Sequence, residues 1–367
     1  MLEFIPASSY HPAYMILITL MTIIVFSQYQ KINGFRDFKH NRNDAMCGVL
    51  ILLLVFFIGL RPVSSRYFVD MIGYVLHYTI HLDGASFNFD KETDNILFDN
   101  LFRWWGAMRL GYTSFFVLIA TIYFGASYLG IRKIFPNHRI AAYLVFLAAF
   151  STFSYGTNGI KAGAATSLFI WALGYRDNLM VCIPLVLLSW GFHHSMIMPV
   201  AAFVVTLFVK NPKVYFYGWF FCLLMAIGHV KVFAQFFSGF TTEHGAEYLL
   251  WDGKSGGFRG GFRPDFVLYS VMPVWVGWYV VIKKRIQISQ RYNDLLCLYL
   301  CLNSLWMLCM HASFNNRIAY LSWFLYPIVL IYPYLQEPLG KYRYKMFGKI
   351  MLYHLGFTLF MFFVFYA

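Results

Sequence analysis

Twelve long apolar runs separated by short polar connections constrain this chain more than any single motif does. They fall at about 12–29, 46–61, 112–133, 138–155, 160–176, 179–192, 195–209, 214–236, 265–283, 294–311, 317–334 and 348–366. A soluble core cannot bury so many apolar faces, whereas a bilayer accepts any helix of about 20 apolar residues, because such a helix satisfies its own backbone hydrogen bonds. Of the 367 residues, 60% are apolar and 12% charged, about half the charged share of an ordinary soluble domain. The expectation is an all-α polytopic integral membrane protein, a single membrane domain over 1–367 with about 12 helices and a range of roughly 10–14. The runs at 179–192 and 195–209 are short enough to form one hairpin or a broken pair, which sets part of that range. The first run has no basic region before it and no small-residue cleavage site after it, so it is expected to stay as a span.

The formal charge of +13 is first a question of topology. With the amino terminus outside, the inward connections collect 18 of the 29 basic residues, among them Lys31, Arg132, Arg139, Lys210, Lys283 and Lys341. Only five of the 16 acids, Asp37, Asp44, Asp177, Asp294 and Glu337, lie near them. This is the positive-inside pattern, and it predicts a multi-pass membrane protein with both termini outside. The charge therefore implies no nucleic-acid partner. The two long connections, 62–111 and 237–264, both fall on the outer face, where binding residues are expected. All six cysteines lie in apolar runs without a C-x-x-C pair, so they read as small buried hydrophobes and no metal site is expected from them. No internal repeat marks an inverted-repeat transporter.

Five stretches carry candidate chemistry. Gly59-Leu60-Arg61-Pro62 ends the second run and is followed by Arg66, Asp70, Tyr74, His77 and Tyr78. At helical spacing the last four share one face, a lining suited to a sugar or phosphate, or else an interfacial helix with tyrosines at headgroup depth. Asn158-Gly159-Ile160-Lys161 opens a small-residue segment, Ala162 to Ala165, that lets helices or a lipid-linked substrate approach closely. Lys161 at the hydrocarbon edge needs an anion or water, and its alternative is a snorkelling anchor. His193-His194-Ser195 ends the sixth run, where an imidazole serves either as a general base or as a packing residue.

The second long connection holds Glu243, His244, Glu247, Tyr248 and Trp251, then Gly253-Lys254-Ser255 through Arg259 to Arg263. It mimics the end of a Walker A loop but lacks that motif's first glycine and preceding strand, which leaves a cationic lid or a solvated glycine loop. Asn316-Arg317-Ile318-Ala319-Tyr320 begins the eleventh run, with Arg317 on the side poor in basic residues. Arg61, Lys161 and Arg317 thus lie at outer ends of three runs. Helix packing that brought them together would require an anion to offset their repulsion.

In order and setting, Gly59-Leu60-Arg61 with Asp70 and Tyr74, Asn158-Gly159-Ile160-Lys161, His194-Ser195 and Asn316-Arg317-Ile318-Ala319-Tyr320 resemble the EpsG family of Wzy-like polysaccharide polymerases. The resemblance runs from about 50 to 335. Here Phe68-Val69 precede Asp70 where the family usually shows a Gly-Thr-Asp-like run, and Lys161-Ala162 stand where it usually has Arg-Gln, so charge is kept but a bidentate fork is lost.

That resemblance implies a glycosyltransferase of the bacterial inner membrane, acting on its periplasmic side on undecaprenyl-pyrophosphate-linked repeat units, without a cofactor or metal. One lipid-linked chain is transferred to the sugar hydroxyl of another, and undecaprenyl pyrophosphate leaves. Its expected partners are the lipid-linked donor and acceptor, membrane lipid, a chain-length regulator and a flippase. The site expectations are Arg61, Arg66, Lys161, Arg317, Arg259 and Arg263 for the pyrophosphate, and Tyr74, Tyr78, Asn158, Trp251, Asn316 and Tyr320 for sugars. For the base, Asp70 comes ahead of His194 and Glu243. The competing readings are an O-antigen ligase-like transferase, a multispan acyltransferase using His193 and His194, and a transporter of lipid-linked sugars.

Overall fold

The computed structural model describes residues 2, 4–32, 44–230, 261–312 and 315–365. Among them there is no strand, and the α-helices run in chain order as α1 Tyr10–Gln30, α2 Asp44–Gly59, α3 Val69–His77, α4 Ile96–Ala107, α5 Tyr112–Ile134, α6 Arg139–Leu147, α7 Phe150–Thr157, α8 Ile160–Gly174, α9 Leu179–Phe192, α10 Ile197–Phe208, α11 Pro212–Ile227, α12 Pro264–Trp278, α13 Gln290–Leu308, α14 Asn315–Trp323, α15 Tyr326–Gln336 and α16 Arg343–Phe365. Among the described residues, every apolar run of the sequence is largely helical, as expected.

The span count is less direct. Five helical stretches among the described residues are long and apolar enough to cross a membrane: Ala7–Gln30, Tyr112–Ile134, Pro264–Lys283, Asn315–Gln336 and Arg343–Val364. The pair α6 and α7, bent by 73°, makes a sixth if it is one broken span. Five more apolar helices, α2, α8, α9, α10 and α11, are shorter. A 16-residue helix such as α2 is about 24 Å long, less than the roughly 30 Å of a hydrocarbon core. Length and composition therefore support a multi-pass protein without reaching the expected twelve.

The chain forms two compact units, Met1–His194 with Gly340–Ala367, and Ser195–Leu339. In the first, the break between α6 and α7 is the feature that needs explaining, since a helix interrupted in an apolar setting strands its last carbonyls. Here side chains satisfy them. Tyr14 donates to Leu147 O at 2.7 Å, His354 Nε2 to Val145 O at 3.0 Å, Thr358 to Ala148 O at 2.6 Å and Thr152 to Phe146 O at 2.7 Å. Helices α1 and α16 thus supply the polar groups that make the break possible. Helices α5 and α8 pack backbone to backbone, because a side chain on Gly130 would run into the Ile170 carbonyl.

The second unit is organised around a buried polar chain. Trp219 Nε1 donates to Asn303 Oδ1 at 2.8 Å, Asn303 Nδ2 to Ser322 Oγ at 3.0 Å, and Trp323 Nε1 to Ser270 Oγ at 2.8 Å. These bonds tie α11, α12, α13 and α14 together in an interior where any unpaired polar group would be costly. Five of the six cysteines are buried and Cys301 is half-buried, all of them free thiols.

Candidate functional site

The first long connection is folded. Its α4 is anchored by Asn100, whose Oδ1 accepts from Asp90 N at 2.7 Å and whose Nδ2 donates to Asp90 O and Ile96 O at 2.7 Å each, while Arg103 pairs with Asp90 at 2.8 Å. The expected stripe of α3 forms as a helix through His77, and Tyr78 begins a π-helical turn, Tyr78–Leu82.

Lys161, on the first turn of α8, is where these elements meet. Its Nζ lies 2.6 Å from Asp99 Oδ1 of α4, 4.9 Å from the Phe98 ring centroid and 5.8 Å from that of Tyr74 of α3. Side-chain exposures of 24% and 26% for Lys161 and Asp99 place the pair at a surface that solvent or ligand can reach. Such a partly desolvated pair is stronger than an exposed one. The rings of Tyr74, Phe98 and Phe102 form the wall behind it. His77, farther along the α3 stripe, feels the same charges: burial holds its imidazole below the ordinary range, with His81 and Lys161 adding to the effect and Asp99 opposing it.

The other oxygen of the same carboxylate organises the start of α4. Asp99 Oδ2 accepts from Asn95 N at 3.3 Å and from Asn95 Nδ2 at 3.5 Å. Asn95 Oδ1 faces His194, in the turn between α9 and α10, lying 3.1 Å from its backbone N and 3.3 Å from Nδ1. Lys161, Asp99, Asn95 and His194 are therefore one connected set. Burial lowers the His194 pKa, with Asp94 and Asp99 opposing and Lys161 reinforcing the shift.

Arg61 occupies a different place from the one expected. Its residue exposure is 1%, and its guanidinium donates to Ile58 O at 2.7 Å and to Thr157 O at 2.5 Å, between the rings of Phe68 and Phe116 at 5.4 and 5.2 Å. Those carbonyls are the last turns of α2 and α7, where helix dipoles concentrate negative charge. In this structure Arg61 joins two helix ends, just before the Asn158 to Lys161 turn, and presents no open face to a pyrophosphate. Asn158 Oδ1 is buried with no hydrogen-bond donor among the described residues.

The remaining expectations divide similarly. Asp70 is half-buried on α3 and its carboxylate makes no hydrogen bond or ion pair with another described residue, and Arg66 is exposed with its guanidinium 5.5 Å from the Tyr67 ring. Tyr78 is buried, its hydroxyl accepting from Gly111 N at 2.9 Å, and so it holds the fold instead of offering a sugar platform. The small segment after Lys161 packs helices, since a side chain on Gly163 would meet the Tyr155 carbonyl of α7. In the second unit, Arg263 is clamped by Asp265 through Nε to Oδ1 at 2.9 Å and Nη2 to Oδ2 at 2.5 Å, with Phe266 beneath it at 3.8 Å. Asn316 and Arg317 are exposed at the start of α14, and Tyr320 is buried. Glu243, Trp251 and Arg259 lie outside the described residues. Among the described residues no three His, Cys, Asp or Glu side chains gather as a cation site.

Asn95 and Asp99 were not singled out from sequence. Their signal is the i, i+4 spacing of an amide and a carboxylate beside Phe98 and Phe102, and it points nowhere until α4 is placed against α8 and the His194 turn.

The EpsG family model matches residues 44–367. The chain belongs to the EpsG family. This is a family of Wzy-like polymerases, and the match covers most of the chain, including both units and every element of the cluster just described. No curated relative and no solved structure matches it. EpsG membership accounts for the many apolar helices. It also gives a setting to Lys161 and His194, which meet Asp99 and Asn95 at the start of α4, and to Gly59-Leu60-Arg61, whose arginine joins the ends of α2 and α7.

Proposed function

We propose that the chain is a polysaccharide polymerase of a bacterial inner membrane, a glycosyltransferase that joins undecaprenyl-pyrophosphate-linked repeat units on the outer face. The observation that carries this reading is the half-buried Lys161–Asp99 pair beside His194, at the end of apolar helices in a member of a polymerase family. A departing lipid pyrophosphate accumulates negative charge, and a preorganised ammonium stabilises that charge most where water is scarce. Lys161, already desolvated on one side by Phe98 and Tyr74, is the cation for it. The unpartnered Asn158 Oδ1 accepts from a sugar hydroxyl, and Tyr74 supplies a ring edge for a sugar face.

Removing a proton from the accepting hydroxyl requires a base; His194 beyond α9 lies in the cluster, and Asp70 stands on the same α3 helix as Tyr74. Arg61 acts one step back, holding the end of α7 from which the Asn158 to Lys161 turn departs. Helices α2, α8, α9, α10, α11 and α13 are assigned to the bilayer together with the five longer spans and the bent α6–α7 pair; twelve crossings with the basic connections inside put both termini outside, in keeping with the charge bias.

A strain lacking the gene tests this through gel electrophoresis of its surface glycans. A polymerase predicts loss of long chains with single repeat units still attached. Loss of every repeat unit indicates a ligase or a flippase, and an unchanged ladder rejects a role in chain growth.

A further inference from the structure

The hydrogen bonds around Asn95 decide which nitrogen of His194 holds a proton. The backbone N–H of His194 can only donate, so the Asn95 side-chain atom 3.1 Å away is its carbonyl oxygen. The amide orientation is then set, and Asn95 Nδ2 faces the Asp99 carboxylate, which can only accept when ionised. The two contacts agree on one orientation. His194 Nδ1 lies 3.3 Å from that same Asn95 oxygen and must therefore carry the hydrogen. In the neutral imidazole this leaves the lone pair on Nε2, which has no partner among the described residues.

We infer that His194 is the base of the transfer, taking the acceptor proton at Nε2, and that Asn95, oriented by Asp99, is the positioning residue that fixes its tautomer. The inference rests on the polymerase reading and deepens it. In the step, the acceptor hydroxyl oxygen forms a bond to the anomeric carbon of the donor. The bond from that carbon to the pyrophosphate oxygen breaks, and its electron pair leaves with the lipid pyrophosphate beside Lys161. The hydroxyl proton goes to His194 Nε2 and is then released to the departed pyrophosphate or to water. Asp99 thereby serves both halves of the reaction, one oxygen on the ammonium that meets the leaving group and the other on the amide that sets the base. Among the described residues, Asp70 has no comparable group aiming it.

The charged groups facing His194 are Asp94 and Asp99 at the start of α4 and Lys161 of α8, with the His193 ring stacked beside it at 5.1 Å. The test uses membranes carrying the full chain and, as substrate, lipid-linked single repeat units extracted from the deletion strain. His194→Gln is expected to lower elongation about 100-fold or more. Asn95→Leu, of similar size but unable to accept from Nδ1–H, is expected to lower it at least about tenfold at unchanged membrane abundance.

Asn95→Asp keeps the acceptor. It is expected to recover most of the rate, with the acid limb of the pH profile displaced upward because a carboxylate favours the imidazolium. A merely structural Asn95 would move no limb. Wild-type elongation with His194→Gln equally active, or with Asn95→Asp no better than Asn95→Leu, overturns this inference alone. Absence of elongation by the wild-type chain overturns the polymerase reading and this inference with it.

Discussion

Lys161 Nζ sits 2.6 Å from Asp99 Oδ1, and this pair ties the first turn of α8 to the first turn of α4. A lysine desolvated on one side by aromatic rings requires an anion, and the Asp99 carboxylate supplies it. Removing the ammonium takes away the charge offered to the leaving group. Lys161→Ala is expected to reduce chain extension about 100-fold, read as the rate of ladder growth from lipid-linked repeat units at matched membrane abundance. Full-length chains at the wild-type rate would remove Lys161 from the site.

Asp99 and Lys161 are expected to be energetically coupled. Asp99→Asn alone leaves Lys161 without its carboxylate and loosens Asn95, and a misplacement of that kind costs about tenfold or more. Once Lys161 is already alanine, the ion pair no longer exists, so Asp99→Asn in that background should cost less than it does alone. A double-mutant cycle on elongation rate measures the difference, and strict additivity would mean that the two side chains act independently.

For Arg61 the expected defect is in the fold before the chemistry. Its guanidinium bridges the carbonyls of Ile58 and Thr157, and truncation strands both. Arg61→Ala is expected to destabilise the protein by about 2–4 kcal/mol, seen as a lower thermal midpoint of the detergent-solubilised chain. Arg61→Lys reaches at most one of the two carbonyls well and should recover part of the loss. A normal thermal midpoint with abolished elongation would return Arg61 to the substrate.

Packing between α5 and α8 gives an independent check on the fold. Gly130→Val places a branched side chain against the Ile170 carbonyl, and overpacking of this sort costs about 1–3 kcal/mol or more. The yield of folded, monodisperse protein should fall, while Gly125→Ala, at a glycine with open space around it, should leave the yield unchanged.

The pH dependence follows from the direction of the His194 shift. Burial disfavours the imidazolium, so the neutral base persists below the ordinary imidazole range. The elongation rate is expected to be flat near neutral pH and to fall only on acidification past the usual histidine value of about 6.5. A rate that already declines between pH 8 and 7 would contradict this placement of the base.

Much of the architecture was legible from the run pattern. Among the described residues each apolar run is largely helical, the α3 stripe forms, and the family suggested by short motifs is the one whose model matches. Span count was less legible, because helices such as α2 and α8 fall short of a full crossing and α6 breaks into α7 through side-chain bonds from α1 and α16 that lie far away in sequence. Site residues were partly legible for the same reason. Lys161 and His194 announce themselves as charge and imidazole at run ends, whereas Arg61 reads identically as a substrate cation or a buried helix-end bridge until Thr157 is seen against it. Asn95 and Asp99 carry no signal without their partners, since an amide and an acid in a long polar connection are ordinary there.

The most direct measurement is elongation by the full chain reconstituted in lipid nanodiscs, supplied with lipid-linked repeat units and nothing else. Chain growth by whole repeat units, with one lipid pyrophosphate released for each linkage formed, is the result expected. Repeat units that stay single while a fresh lysate carrying a known polymerase for the same glycan extends them would contradict the central claim.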